Sequence, residues 1–130
     1  MKTLISAQPR KQRKFRRNAP LHKKQKMLAA PLSKELREKY KRRSMPVRKK
    51  DIVQVVRGEY KSVKGEVLRV NSDKYKIYVD GVKEVKADAT NVEGAVDPSN
   101  VIITDLYLDD KKRRKIIERK LSAGEKIPEK

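Results

Sequence analysis

VVRGEYKSVKGEV, residues 55–67, is the stretch on which the fold turns. Two glycines, Gly58 and Gly65, stand seven residues apart with valines on both flanks. It reads as strand, loop, strand. Gly58 lies where the chain leaves the first strand, a place where a positive φ suits glycine. Gly65 opens the next strand, where a side chain would crowd the turn or an approaching partner. Tyr60, Lys61 and Lys64, with Arg57 just ahead of them, are then displayed on a loop held by a rigid scaffold, a common way to present binding residues. The same loop is also a turn that a small barrel needs whatever it binds.

The pattern continues on both sides. In DIVQVV, from residue 51, Val53 and Val55 alternate with Gln54, the period of a strand. In YKIYVDG, Tyr75, Ile77 and Val79 point one way and Lys76, Tyr78 and Asp80 the other. Asn71-Ser72-Asp73 is a turn cluster and Asp80-Gly81 a hairpin signal. VIITDLYL, after the turn at Pro98-Ser99-Asn100, supplies one or two more strands. Four or five short strands at this spacing predict a small β-barrel. Val67 and Val70 are three apart, which breaks the period and predicts a bulge or sharp bend.

The charge is divided along the chain. The 130 residues carry 36 Lys/Arg against 17 Asp/Glu, a net charge of +19. Residues 1–50 hold 19 basic residues against two Glu, net +17; residues 51–110 are net −4; residues 111–130 are net +6. The mildly acidic middle coincides with the predicted barrel, and both basic ends call for a polyanionic partner. Few large apolar residues sit among these charges, so membrane insertion gains little and nucleic acid is the better match. No apolar run reaches the roughly 18 residues that span a bilayer. The start, MKTLISAQPRK, has an apolar stretch of about five residues, shorter than the roughly 7–15 of a signal peptide. With no cysteine in the sequence, a reducing compartment is expected and a thiolate metal site is excluded.

Residues 1–17 read as an extended arm. PRKQRKFRR packs six cations into nine positions, and self-repulsion opposes a core of its own. Arg10, Lys11, Arg13, Lys14, Arg16 and Arg17 are candidate phosphate contacts; Phe15 either stacks on a base or anchors the arm on the protein's own surface. Residues 18–45 read as two short helices and a linker. Asn18 can cap the first, with Pro20 near its first turn and Pro31 stopping it. Ser33 caps the second, KELREKY. KRRSMPVRKK follows as a basic linker, broken at Pro46. His22, Lys23, Lys24, Arg42, Arg43, Arg48 and Lys49 join the candidate contacts; His22 alone cannot build a metal site. Residues 46–108 hold the barrel. Residues 109–130 read as a basic helix capped by Asp109 or Asp110, docked by Ile117 and Leu121, then a frayed tail SAGEKIPEK. Lys111, Lys112, Arg113 and Arg114 complete the candidate set. Solvated charge runs or a nuclear-import signal are the bland readings of these segments. A solvated run usually mixes signs, whereas residues 1–26 hold ten basic residues and no acidic one.

The run from Lys49 to Gly81, KKDIVQVVRGEYKSVKGEVLRVNSDKYKIYVDG, resembles a KOW motif: an Asp after a turn, alternating valines, Gly, Lys, a second Gly, then valines. Such modules occur in ribosomal proteins and in transcription elongation factors of the NusG and Spt5 type. The flanks narrow the resemblance. NAPLH, APLSKELREKY and PSNV, in this order, are similar to the archaeal and eukaryotic forms of the twenty-fourth universal large-subunit ribosomal protein family, nearly to residue 120. The family pattern usually has Gly where this chain has Lys50 and Ser62, Asn-Gly at Asp88-Ala89, and His at Asp97.

The resemblance implies an SH3-like barrel with a basic helical N-terminal extension and a C-terminal helix. It implies direct binding of large-subunit rRNA, near the start of that RNA and early in assembly. It also implies a place beside the peptide tunnel exit among neighbouring large-subunit ribosomal proteins, on cytoplasmic ribosomes. An elongation module contacting RNA polymerase is the alternative, although its usual companion domain is absent. A nonspecific condenser would need no ordered barrel. No paired carboxylates, nucleophile–base set or phosphate-cradling glycine loop points to an enzyme, a cofactor, a metal or a small-molecule substrate.

Overall fold

The computed structural model describes residues 6–124. In chain order they form α1 (Pro9–Asn18), α2 (Leu21–Met27), β1 (Ala29–Pro31), α3 (Lys34–Tyr40) and β2 (Ser44–Pro46). Next come β3 (Ile52–Val55), β4 (Lys64–Asn71), β5 (Lys76–Val85), β6 (Asn91–Val96), a 3₁₀ turn (Pro98–Asn100), β7 (Val101–Asp105) and α4 (Lys111–Gly124). The protein is mainly β: one five-stranded antiparallel sheet in the order β6-β5-β4-β3-β7, with β1 and β2 paired separately.

The alternation read from the sequence becomes the inner face of this sheet. Val53, Val55, Ile77 and Val79 are buried to 2% exposure or less, and Tyr75 to 7%. Val67 is fully buried, and the β4–β5 register shifts between Val67 and Arg69. That is the irregularity the three-residue spacing to Val70 predicted. Gly65 sits where β4 passes β5. A Cβ there would run into the Asp80 carbonyl oxygen, so the crowding comes from the chain's own neighbouring strand.

Asp80-Gly81 is not the hairpin turn. β5 continues through it to Val85, and the turn to β6 falls at residues 86–90, closed by the Lys86 N–H donating to the Thr90 carbonyl at 3.0 Å. Gly81 takes φ +86° and its N–H donates to the Asp80 carboxylate. The register with β6 shifts between Tyr78 and Lys83, so the Asp-Gly pair makes a bulge in a continuous strand.

The N-terminal half departs most from the sequence reading. The arm expected to be extended is helical from Pro9, which fills the first turn where its missing N–H costs nothing. Arg, Lys and Gln, which lose little side-chain freedom in a helix, carry it on. Asn18 ends α1 and does not cap α2, whose cap position is Pro20. Pro31 does not stop a helix, and the basic linker is not a linker. Ala29–Pro31 pairs antiparallel with Ser44–Pro46, and Leu32 bridges Ile103 in β7. Leu28, Ala30, Leu32 and Met45 are at most 1% exposed. Each large side chain among them contributes roughly 1.5–3 kcal/mol on burial, which ties the extension to the core. The prolines close short edge strands, where a lost N–H is tolerated.

Ser33 caps α3 as read, its Oγ accepting from the Leu36 N–H at 3.4 Å. Asp110 caps α4, accepting from the Lys112 N–H at 2.8 Å. Ile117 docks that helix at 5% exposure, but Leu121 stays 37% exposed. Helix α4 runs on through Gly124; the rest of the tail, like residues 1–5, lies outside the described residues.

Three positions where the family pattern carries glycine keep a left-handed backbone here with other residues: Lys50 (φ +72°), Ser62 (φ +74°) and Ala89 (φ +60°). Each of these turns carries local strain.

Candidate nucleic-acid interface

Helix α1 converts a run of cations into a surface. At about 100° per residue, Arg10, Arg13, Lys14 and Arg17 stand at i, i+3, i+4 and i+7 and share one exposed face. None of the four makes an ion pair among the described residues. Arg16 points elsewhere. Its guanidinium lies over the Tyr75 ring at 4.3 Å from the centroid, and the Tyr75 hydroxyl donates to the Arg16 carbonyl at 2.6 Å. Tyr75, at 7% exposure on the first turn before β5, thus seats the helix on the sheet. Lys24, expected as a contact, pairs with Asp73 at 2.7 Å beside the same seat.

Phe15 is half-buried, with the Lys23 ammonium 5.3 Å from its ring centroid. His22 is exposed on α2.

The loop after β3 is confirmed as a turn with Gly58 at φ +98°. Arg57, Lys61 and Lys64 are exposed on it. Tyr60 is not displayed. It folds back, packs against the core and donates its hydroxyl to the Lys83 carbonyl at 2.6 Å. It stiffens the loop that carries the lysines.

Around the start of α4 the cations divide. Lys111 and Lys112 are exposed. Arg114 donates to the Leu108 carbonyl at 2.6 Å, Arg48 is ion-paired with Asp110, and half-buried Arg42 donates to the Ile116 carbonyl at 3.5 Å. Arg43 and Lys49 are exposed. Arg113, expected at the surface, lies inside the protein. It is 2% exposed and makes a two-pronged ion pair with Asp51, which is fully buried. Nη2 donates to Oδ2 at 2.7 Å, and Nη1 donates to Oδ1 and to the Tyr107 carbonyl. Asp51 further accepts the backbone N–H groups of Arg48 and Tyr107 at 2.9 and 3.0 Å. This pair fastens α4 to the start of β3, so Arg113 cannot meet an external phosphate.

Sequence reasoning missed three features. The ridge on α1 was legible in its i, i+3, i+4, i+7 spacing once Pro9 was taken as a helix start. Tyr75 as its seat left no local signal. Asp97, where the family carries His, pairs with Lys76 at 2.9 Å. No group of three or more potential metal ligands occurs among the described residues, and no described helix is long and apolar enough to cross a membrane.

A five-stranded antiparallel sheet bearing a cationic helix, an exposed lysine loop and a basic C-terminal helix defines a small, strongly basic, mainly β type of protein. Residues 6–120 match the family of eukaryotic L26 and archaeal L24 ribosomal proteins. The chain is 47% identical over 124 residues, 95% of each chain, to large ribosomal subunit protein uL24 of Korarchaeum cryptofilum (strain OPF8). It is 52% identical over 116 residues to large ribosomal subunit protein uL24 of Methanothrix thermoacetophila, covering 89% of this chain and 100% of that one. The chain belongs to this ribosomal protein family, whose members are structural components and not enzymes.

Proposed function

We propose that the chain is a structural constituent of the large ribosomal subunit that binds large-subunit rRNA directly. The observation that carries this reading is the unpaired ridge of Arg10, Arg13, Lys14 and Arg17, seated by Tyr75 on a sheet formed by residues 51–110, whose own net charge is −4. Phosphate neutralisation supplies most of the affinity, and such contacts position the protein without reading bases. Specificity is one of shape. The ridge, the Lys61–Lys64 loop and the exposed Lys111 and Lys112 project from one scaffold, and only an RNA fold matching their spacing satisfies all of them. Bulges in β4, β5 and β7 bend the five strands, and the SH3-like barrel that belongs to this reading keeps the spacing constant. Binding near the start of the RNA, early in assembly, and a place beside the tunnel exit of cytoplasmic ribosomes belong to the same reading. Neighbouring ribosomal proteins are the remaining partners. Nothing in the comparisons favours the elongation-module alternative.

The test is affinity for large-subunit rRNA against an equal length of unrelated structured RNA, across a salt series. A protein making 6–10 phosphate contacts loses about 10³–10⁵ in affinity between 50 and 200 mM salt. A preference for large-subunit rRNA that survives at high salt, with a footprint in one region, supports the reading. Equal affinities that collapse together refute it.

A further inference from the structure

Beside the phosphate ridge lies a cleft of about 240 Å³ lined by Lys11, Lys14, Phe15, Asn18, Ala19 and Pro20. It is smaller than the roughly 300–1,000 Å³ of ordinary small-molecule pockets, and its walls are mostly apolar. The four α1 residues are again spaced i, i+3, i+4, i+7, so the cleft occupies the helix face adjoining the ridge, and Lys14 belongs to both.

Phe15 is the chain's one phenylalanine. It is half-buried in a helix otherwise built of Pro9 and polar or charged side chains, and it is absent from the side chains that pack on the hydrophobic core. Lys23 is not among the residues lining the cleft, so the ring presents a surface there that the Lys23 ammonium does not cover.

We propose that this cleft takes a single unstacked nucleotide of the bound RNA, its base stacked on Phe15 and its flanking phosphates on Lys11 and Lys14. This rests on the rRNA-binding reading above. A strand tracked by the ridge brings its bases to the adjoining face. Pro20 and buried Ala19 supply the apolar wall of this open cleft. The Asn18 carboxamide supplies both a donor and an acceptor at the base edge. An aromatic ring flanked by cations is the arrangement that holds single-stranded nucleic acid by stacking.

The experiment compares the full chain with Phe15→Leu and Phe15→Tyr in binding to large-subunit rRNA across a salt series. Stacking predicts that Phe15→Leu loses roughly 5- to 150-fold in affinity. It predicts the same loss at every salt concentration, because no cation is removed and the slope of log K against log salt is unchanged. Phe15→Tyr, which keeps a stacking ring, stays within about twofold of the wild type. Three results overturn the proposal. Phe15→Leu binding like the wild type would mean that the cleft is empty on RNA or is filled by a neighbouring protein. A loss accompanied by a shallower salt slope would mean that Phe15 merely positions the ridge. Failure of the wild-type chain itself to prefer large-subunit rRNA would remove the underlying reading as well, and is distinguishable because it precedes any substitution.

Discussion

Replacing Arg113 by methionine separates the interior role seen here from the surface role its sequence context suggests. The substitution keeps most of the apolar stem and deletes the guanidinium. Asp51, with no exposure, is left with two backbone N–H donors, from Arg48 and Tyr107, and no counter-charge. The Tyr107 carbonyl also loses its 2.9 Å donor. Breaking a buried pair from one side costs about 3–5 kcal/mol, a large part of the roughly 5–15 kcal/mol that stabilises a typical domain. In urea unfolding the midpoint should fall accordingly, and Tm should drop by on the order of 10–20 °C. Asp51→Asn combined with Arg113→Met should be more stable than Arg113→Met alone, since the unpaired charge is the dominant cost. Arg114→Met, at an exposed position, should cost less than about 1 kcal/mol. Measured where each variant is still folded, the salt slope of RNA binding should be unchanged by Arg113→Met and shallower for Lys112→Met. Arg113→Met within about 1 kcal/mol of the wild type, with a shallower salt slope, would refute the assignment and return Arg113 to the interface.

Ala89→Gly and Ser62→Gly should each stabilise by about 0.5–1 kcal/mol in thermal unfolding, because the strain relieved at φ +60° and +74° exceeds the added freedom of the unfolded chain. Lys50→Gly should gain less, since it also removes the Lys50 ammonium 5.0 Å from the Tyr107 ring. Gly65→Ala should destabilise by at least about 1–3 kcal/mol, the usual cost of overpacking, because the obstruction is the Asp80 backbone; an unchanged urea midpoint would contradict the β4–β5 approach. Reversing Lys61 and Lys64 to Glu should weaken rRNA binding more than reversing Lys74 and Lys76, and equal losses would sink the division between gripping loop and solvent face. At the β5–β6 turn the Thr90 hydroxyl, donating at 2.8 Å, and its N–H hold the Asp88 carboxyl below its ordinary pKa. The small stability this supplies is present above the unfolded pKa and is lost as pH falls through the lowered folded one. Thr90→Val should move the NMR titration of Asp88 upward.

Nearest neighbours decide what is legible in the chain alone. Alternation at Val53–Val55 and Tyr75–Ile77–Val79 set which face is buried, because a strand's side chains alternate whatever it pairs with. Ser33 and the Asp109-Asp110 pair announced helix starts because a cap acts within three residues. The Gly58 turn, the bulge after Val67 and the net charge of each segment were equally local. The family resemblance was legible too, in strings that run almost the whole chain. The remainder depended on distant partners. Leu28, Ala30 and Leu32 alternate, as do Met45 and Val47, yet among prolines and cations they read as a helix end and a linker; the two three-residue strands are stable only by pairing with each other and, through Leu32, with Ile103. The cationic helix took its seat on the sheet from Tyr75, 59 positions away. Arg113 went inside because a carboxylate 62 positions earlier awaited it. Hydrophobic period and capping are properties of adjacent residues, whereas the burial of a charge depends on a partner that only folding brings within hydrogen-bond reach.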